Sequence, residues 1–290
     1  MNGLSRKIIL AGFVLSSAAF IAPTFNGSAL AESPVRQIEP SAVRYAYTPL
    51  VLKNESYVSV VTPANQQKVN KRLSILLAKI HEQLSDLSGQ PLKITVGVKL
   101  LPQKTFFEET KAPLWTNAMF YKDEILVPVK DFKKIDWKSL SKTIRHEYTH
   151  AVTHALSNGA CPAWIDEGLA QLVERSGNKI LDKSLGVWLA KHKPISLSSL
   201  SHGFTKLDLK AVGPAYAQSK VAVAKLLERP EGLSELFKLI RLTRILSLEQ
   251  AFKLVYAQDF SDFEKELGRN LIDLDSRQAL LRSRNDSLTF

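Results

Sequence analysis

The chain has 290 residues, 45% of them hydrophobic, with a formal net charge of +11 and a single cysteine. One cysteine excludes an intrachain disulfide, and a chain of this length can bury a core without one. Lysine and arginine are scattered along the sequence rather than gathered into one arm, so the charge does not indicate a nucleic-acid partner. We expect a solvated basic surface, with an anionic envelope partner as the alternative.

The first 31 residues have the pattern of a secretory signal peptide. Arg6 and Lys7 precede an apolar run over residues 8–22, and Ala29-Leu30-Ala31 has the small-x-small pattern of a cleavage site. The run is short for a membrane-spanning helix, which needs about 20 residues; an uncleaved anchor is the alternative. We therefore expect an exported protein, periplasmic or secreted in a bacterial envelope, with no stable membrane insertion after cleavage.

The segment after the signal begins with an arm and a strand. Residues 32–55 contain three prolines and are predicted to form a loosely ordered arm. β-Branched residues alternate over residues 56–62, which predicts a strand. Thr62 and Pro63 are typical of a helix start, with a capping hydroxyl followed by proline at the first helical position. Leucine and isoleucine then recur at helical spacing up to Gly89, which predicts one long helix.

More strands precede the centre of the chain. One strand is predicted at residues 93–101, followed by a short helix around Phe106. Two more strands are predicted, one on each side of a turn at Lys122-Asp123. The next helix is predicted to begin at Asp136, a capping residue, and to end at Asn158-Gly159.

The order of the elements, strands with helices first and helices alone afterwards, indicates an α+β fold. The predicted organisation is a signal peptide, a loose arm, an α+β subdomain, a helical subdomain and a C-terminal tail, over residues 1–31, 32–55, 56–160, 161–268 and 269–290.

The helix that ends at Asn158 carries two histidines and a glutamate with the spacing of a zinc site. His146 and His150 are four residues apart, so both imidazoles point the same way and can reach one metal ion. Glu147 lies on a neighbouring azimuth, where it can act as a general base on a water molecule beside the metal.

A catalytic zinc usually has three protein ligands and one open position. Glu167 is the candidate for the third ligand, because 16 residues separate it from His150 and it lies in the first half of a helix predicted to begin at Pro162. The loop at Asn158-Gly159 would let this helix fold back against the first one. No fourth protein ligand is evident in the sequence, which favours an open, catalytic site.

His146-Glu147-x-x-His150 followed by Trp164 to Ala170 resembles the gluzincin metallopeptidases, the thermolysin and aminopeptidase-like clan, and more closely its peptidase MA-like branch. The resemblance covers roughly residues 55–268. It implies a zincin-like mixed sheet with the active-site helix, followed by a mainly helical C-terminal subdomain. It also implies one zinc ion per chain, held by His146, His150 and Glu167, with Glu147 as the base.

The sequence departs from individual members of this clan in two places, Gln171 and Phe120. Gln171 stands where thermolysin has an aspartate that supports a zinc histidine, whereas Glu174 agrees with the aminopeptidase-like pattern and is expected beside the ligands. Asn117-Ala118-Met119 is similar to the edge strand that holds the substrate backbone. Phe120 follows where aminopeptidases have the glutamate that binds a free N-terminus, which favours cleavage within chains or near other ends.

Tyr216 lies in a Pro-Ala-Tyr-Ala-Gln-Ser segment that is similar to one in the peptidase MA-like branch. It is the candidate donor to the tetrahedral oxyanion, and a packed helix tyrosine is the equal alternative. His192 and His202 are interpreted as loop histidines that could take the same role. His154 is interpreted as structural, and His81 as a surface or boundary histidine.

These observations predict an exported zinc metallopeptidase acting on a peptide or protein substrate. The first alternative is a non-catalytic zinc-binding envelope protein that uses the same groove to bind a partner; a weaker one is a polyanion-binding protein. The sequence does not indicate the substrate, the choice between endo- and exopeptidase action, the oligomeric state, or whether residues 32–55 are a pro-segment.

Overall fold

The structure, a computed structural model, describes residues 43–114, 116–174 and 179–272. The predicted signal peptide and most of the predicted tail lie outside these residues. Five strands form one mixed sheet in the order β1-β2-β3-β5-β4. They are β1 (Tyr45–Leu52), β2 (Ser56–Pro63), β3 (Thr95–Pro102), β4 (Met119–Tyr121) and β5 (Glu124–Val129).

The inner three strands, β2, β3 and β5, run parallel, and the outer two pair antiparallel with their neighbours. Strands β4 and β5 form a hairpin, because both turn residues adopt the left-handed conformation that such a tight turn needs, with φ of 49° at Lys122 and 59° at Asp123. The turn predicted there is confirmed. β4 pairs only with β5 among the described strands, so it forms one edge of the sheet.

Ten helices are described. They are α1 (Gln67–Leu87), α2 (Gln103–Thr110), α3 (Trp137–Ser157), α4 (Ala163–Glu174), α5 (Lys179–Leu189), α6 (Leu197–Leu200), α7 (Leu209–Leu226), α8 (Gly232–Leu242), α9 (Leu248–Tyr256) and α10 (Phe260–Ile272). Helices α3 to α10 follow the last strand without another strand in the described ranges. The predicted α+β fold, with a strand-rich N-terminal part and a helical C-terminal part, is confirmed.

Two expectations about the start of the fold are wrong. Residues 45–55 form β1 and a 3₁₀ turn rather than a loose arm, because β1 pairs along its whole length with β2. Pro49 is compatible with this pairing because β1 is an edge strand. The first helix begins at Gln67 and not at Pro63, since β2 continues through Pro63, which lies opposite Tyr45.

One buried apolar cluster joins the sheet to the helices on both sides of the predicted subdomain boundary. It includes Val98 of β3, Leu77 of α1, Ile144 of α3 and Phe237 of α8, each at most 1% exposed. Because interiors are close-packed, the long helix α3 is held in place against the sheet. The division into two subdomains stays a prediction. No helix within the described ranges has both the length and the apolar character that crossing a bilayer requires.

Candidate metal centre

Helix α3 is fixed at both ends by local sequence. The Asp136 side chain accepts hydrogen bonds from the backbone N–H groups of Lys138 and Ser139 at the N-terminus. At the C-terminus Asn158 is left-handed with φ of 53°, and Gly159 follows with φ of 78°. Both predicted helix ends are confirmed, and the reversal after Gly159 brings α4 back against α3.

This reversal brings together the three residues predicted to bind metal. His146 and His150 on α3 are each 3% exposed, and Glu167 on α4 is 1% exposed. The ligand atoms of all three lie within 4.8 Å of one another. His146 Nε2 is 3.7 Å from Glu167 Oε2, and His150 Nε2 is 3.8 Å from Glu167 Oε1.

These separations fit a metal ion better than hydrogen bonds. A distance of 3.6 Å is already too long for a hydrogen bond. At zinc–ligand distances of 2.0–2.1 Å, neighbouring ligand atoms of a tetrahedral site are about 3.3 Å apart. The three donors are therefore spaced slightly wider than tetrahedral zinc requires, and two imidazoles with one carboxylate form a donor set that suits this ion.

The other nitrogen of each imidazole contacts a carboxylate. His146 Nδ1 lies 2.8 Å from Glu174 Oε2, and His150 Nδ1 lies 2.9 Å from Asp166 Oδ1. The Thr153 hydroxyl donates to the same Asp166 oxygen at 2.5 Å. A proton held on Nδ1 by a carboxylate leaves the Nε2 lone pair available to a metal. The expected contact of Glu174 with the ligand set is confirmed.

The carboxylates make this pocket strongly favourable for positive charge. Burial lowers the pKa of His150, but Asp166, Glu167 and Glu147 together raise it to about 10. Burial likewise lowers the pKa of His146, but the hydrogen bond with Glu174 and the charges of Glu167 and Glu147 together raise it, so the net shift is upward. The raised pKa values of both imidazoles indicate a negative potential at this site, which would favour the binding of a cation.

Glu147 interacts electrostatically with both histidines but is not one of the three candidate ligands. It is 1% exposed, and its carboxylate accepts a hydrogen bond from the backbone N–H of Phe120 on the edge strand β4. Its Oε2 atom is buried and has no hydrogen-bond partner within the described part of the chain. Burial raises the pKa of Glu147 above its usual value, although the two neighbouring histidines oppose the shift. A buried carboxylate with one uncommitted oxygen has the properties of a general base.

Helix α7 packs against α4 and carries Tyr216, which interacts electrostatically with Glu167. Tyr216 is 3% exposed and packs on Phe204 with ring centroids 4.8 Å apart. Burial raises the pKa of Tyr216 well above its usual value, and the negative charges of Glu167 and Glu147 raise it further. The phenol is therefore held protonated, as a hydrogen-bond donor within electrostatic reach of the ligands.

The contact between α4 and α7 depends on two residues of α4 that follow Glu167, namely Gly168 and Gln171. A Cβ atom on Gly168 would lie 2.4 Å from the Ser219 backbone oxygen, so only glycine permits this approach. Gln171 donates from Nε2 to the backbone oxygens of Glu167 at 3.1 Å and Tyr216 at 3.0 Å. Gln171, which stands where thermolysin has an aspartate, therefore links the two helices through their backbone oxygens.

The remaining histidines lie away from the ligands. His154 is exposed and packs its ring on Phe120, His192 stacks on Trp188, and exposed His202 has its Nδ1 3.3 Å from a carbonyl oxygen of α6. The structural interpretation of His154 agrees with this contact. Asp166 and Thr153 were not anticipated. The available signal was positional, because Asp166 directly precedes Glu167 and Thr153 lies three residues after His150 on the same helix.

A cleft of about 760 Å³ opens beside this centre. His146, Glu147 and Glu174 line one end, and the end of β5 with the first turns of α3 line the rest. Val127, Val129 and Leu140 contribute apolar surface to its walls. Its volume lies in the range typical of binding sites for small molecules and short peptide segments.

Comparison with known proteins gave one family and several solved structures. The model of the Peptidase MA superfamily matches residues 78–273, more than half of the chain. No curated protein matches the chain. An aminopeptidase N family protein from Idiomarina loihiensis is 12% identical over 77% of this chain and 46% of its own, with a TM-score of 0.49. An M1 zinc metallopeptidase from Deinococcus radiodurans is 13% identical over 81% and 52%, with a TM-score of 0.43. The chain spans about half the length of these structures.

Proposed function

This chain belongs to the Peptidase MA superfamily, and from that premise we propose that it is a zinc-dependent metallopeptidase. The observation that carries the proposal is the convergence of His146, His150 and Glu167 within 4.8 Å, with both imidazoles oriented by carboxylates behind them. Under this proposal these three residues hold one zinc ion per chain.

A zinc ion bound there would polarise the peptide carbonyl and lower the pKa of a water molecule. Glu147 takes the proton from the attacking water and passes it to the leaving amine. Three features of Glu147 support this role: the uncommitted Oε2, the raised pKa, and the Phe120 N–H that fixes the carboxylate in one orientation.

Tyr216 serves as donor to the oxyanion that forms on the substrate carbonyl. Its support is the protonated phenol and the effect of the site carboxylates on its pKa. A donor preorganised for the oxyanion is worth about 10²–10³ in kcat. The alternative is a tyrosine that only packs on Phe204. The kcat of Tyr216→Phe distinguishes the two roles.

The substrate backbone runs along the edge strand β4. The support is that β4 pairs on one side only among the described strands, and that Phe120 in its centre contacts Glu147. An extended peptide added to this edge would pass directly beside the base. We also propose that the protein is exported, on the strength of the signal-like pattern in residues 1–31. Expression in a bacterial host followed by intact mass would find a mature chain that begins at Glu32.

The deciding experiment measures metal content and peptide hydrolysis together on purified protein and on Glu147→Gln. We expect about one zinc per chain in both, and cleavage of a mixed peptide library by the wild type only. Zinc in both proteins without cleavage by either would favour the alternative, a zinc-binding protein that presents the groove to a partner. Absence of zinc after reconstitution would reject both.

A further inference from the structure

The cleft beside the metal centre has a basic wall. Three lysines line it: Lys130 after β5, Lys134 in the following loop, and Lys142 on α3. Lys130 and Lys134 are exposed and Lys142 is half-buried. None of the three makes an ion pair with any residue in the described ranges, although carboxylates line the same cleft. We call these three residues the lysine wall.

The carboxylates in the cleft have other partners. Asp131 accepts a hydrogen bond from the backbone N–H of Lys133 at 2.8 Å, and Asp136 caps α3. Glu174 contacts His146, and Glu147 contacts Phe120. Each of these four carboxylates therefore has a partner other than the three lysines.

The segment that builds this wall is basic as a whole. Residues 130–142 contain five lysines and two aspartates, a net charge of +3. Both aspartates are the backbone acceptors just described, so the positive potential of this segment is confined to its own side of the cleft. Walls of low dielectric concentrate such a potential inside a cleft.

The lysine wall lies close to the proposed chemistry. Lys142 precedes His146 by four residues on the same helix, which is about 6 Å along the helix axis. An extended peptide advances about 3.3 Å per residue. A substrate side chain two to four residues from the cleaved bond can therefore reach these ammonium groups.

We propose that this site prefers peptides with aspartate or glutamate within about four residues of the cleaved bond, on the one side that lies against the lysine wall. This inference rests on the proposed peptidase function and names its substrate class. Three ammonium groups that form no ion pair within the described part of the chain gain more from a carboxylate than from a neutral or basic side chain. The preference is one-sided because all three lysines come from one stretch of chain on one wall.

The expected effect follows from what exposed ion pairs contribute. One such pair changes a binding constant about 1.5- to 5-fold, so a peptide that reaches all three lysines gains about 3- to 100-fold. The gain should shrink when salt is raised from 50 to 500 mM, because these charges are close to solvent.

The test uses three fluorogenic peptides that share one sequence around the cleaved bond. The first has three glutamates on one side of that bond, and the second has three glutamines at the same positions. The third has the three glutamates on the other side. The readout is the ratio of kcat/KM for the acidic peptide to that for the neutral one. The variant is Lys130→Gln with Lys134→Gln and Lys142→Gln. The matched control replaces Lys68, Lys71 and Lys79, three exposed lysines of α1 outside this cleft, by glutamine.

We expect an acidic-to-neutral ratio of at least 3 for the wild type and the control, with the glutamates on one side only, and a ratio near 1 for the wall variant. Equal cleavage of acidic and neutral peptides by the wild type, or a ratio that the wall variant keeps, would overturn the inference and leave the peptidase intact.

Binding of the same labelled peptides to Glu147→Gln, followed by fluorescence anisotropy, separates the two proposals. If no peptide is cleaved by the wild type, the peptidase proposal fails, and the binding ratio still decides whether the wall selects acidic peptides. An equal affinity for polyphosphate of matched charge would also count against the inference, because it would indicate a general polyanion surface.

Discussion

Asp166 Oδ1 lies 2.9 Å from His150 Nδ1, on the residue directly before Glu167. One turn of α4 thus supplies a candidate ligand and also the carboxylate that orients another ligand on α3. Burial would raise the pKa of Asp166, but the charge and hydrogen bond of His150, with the hydrogen bond from Thr153, lower it overall. Asp166 is therefore an ionised partner for the imidazole, and we infer that it positions His150 for metal binding.

Replacing Asp166 by alanine should weaken zinc binding by about 10- to 100-fold, because no carboxylate then fixes the orientation and the tautomer of the His150 imidazole. Competition with a chromogenic chelator measures this affinity without any substrate. Asp166→Asn should recover part of the loss, since the amide oxygen can still accept from Nδ1. Asp262→Ala, at an exposed position on α10, is the control. Wild-type affinity in Asp166→Ala would contradict the positioning role.

Tyr216→Phe removes one hydroxyl and keeps the ring that packs on Phe204. If the phenol stabilises the oxyanion, kcat should fall by about 10²- to 10³-fold while zinc content and KM change little. Steady-state kinetics with one fluorogenic peptide, together with metal analysis, gives all three values. A fall of less than threefold in kcat would assign Tyr216 to packing alone. Phe204→Leu reports the effect of disturbing the ring contact without removing the hydroxyl.

The ligand helix was predictable because its signals are local. The four-residue spacing of the histidines, the Asp136 cap and the Asn158-Gly159 stop all act within one or two turns of chain. The position of Glu167 could be predicted because the short loop between α3 and α4 leaves few ways for α4 to pack against α3. The edge strand was predictable from its hairpin turn at residues 122–123, which specifies its neighbour.

The start of the fold was not predictable in the same way. Thr62 looked like a helix cap, but its hydroxyl is buried and accepts from the Asn70 side chain at 3.2 Å. His81 was interpreted as a surface or boundary residue, yet it is 1% exposed and its Nδ1 lies 3.0 Å from the Tyr148 hydroxyl on α3. Each contact joins separate elements of the fold. Tertiary pairing therefore decided the environment of both residues, and a single sequence does not show which distant partner a polar side chain finds.

Gly168→Ala should destabilise the protein by about 1–3 kcal/mol, because the new Cβ would lie 2.4 Å from the Ser219 oxygen and 2.5 Å from Val223 Cγ2. The two helices would have to separate, and Glu167 would move with α4. Urea denaturation in the presence of a chelator measures the stability without a contribution from zinc. Gly186→Ala is the matched control on α5, where a Cβ meets nothing within 4 Å. There alanine should stabilise by about 0.5–1 kcal/mol. Equal effects at both positions would contradict the close approach of α4 and α7.

His81 should make the stability of the fold depend on pH below about 6.5, the usual pKa of histidine. Burial lowers the pKa of His81 in the folded state, although its hydrogen bond to the Lys53 carbonyl opposes the shift. The unfolded chain therefore takes up the proton first as pH falls. The contribution of neutral His81 is complete above pH 6.5 and is lost as pH falls through the lowered folded-state pKa.

The measurement is the urea midpoint at pH 7.5 and at pH 5, with chelator present, for the wild type and for His81→Gln. Other groups titrate in both proteins, so their contributions to stability cancel in the difference between the wild type and the variant. The variant should be less stable at pH 7.5, because glutamine cannot reproduce both hydrogen bonds at 3.0 and 3.1 Å. The stability difference should narrow at pH 5, because only the wild type loses the contribution of a neutral ring. Replacing the exposed His202 by glutamine controls for the loss of a histidine as such. A difference that stays constant between the two pH values would show that His81 is not held neutral by burial.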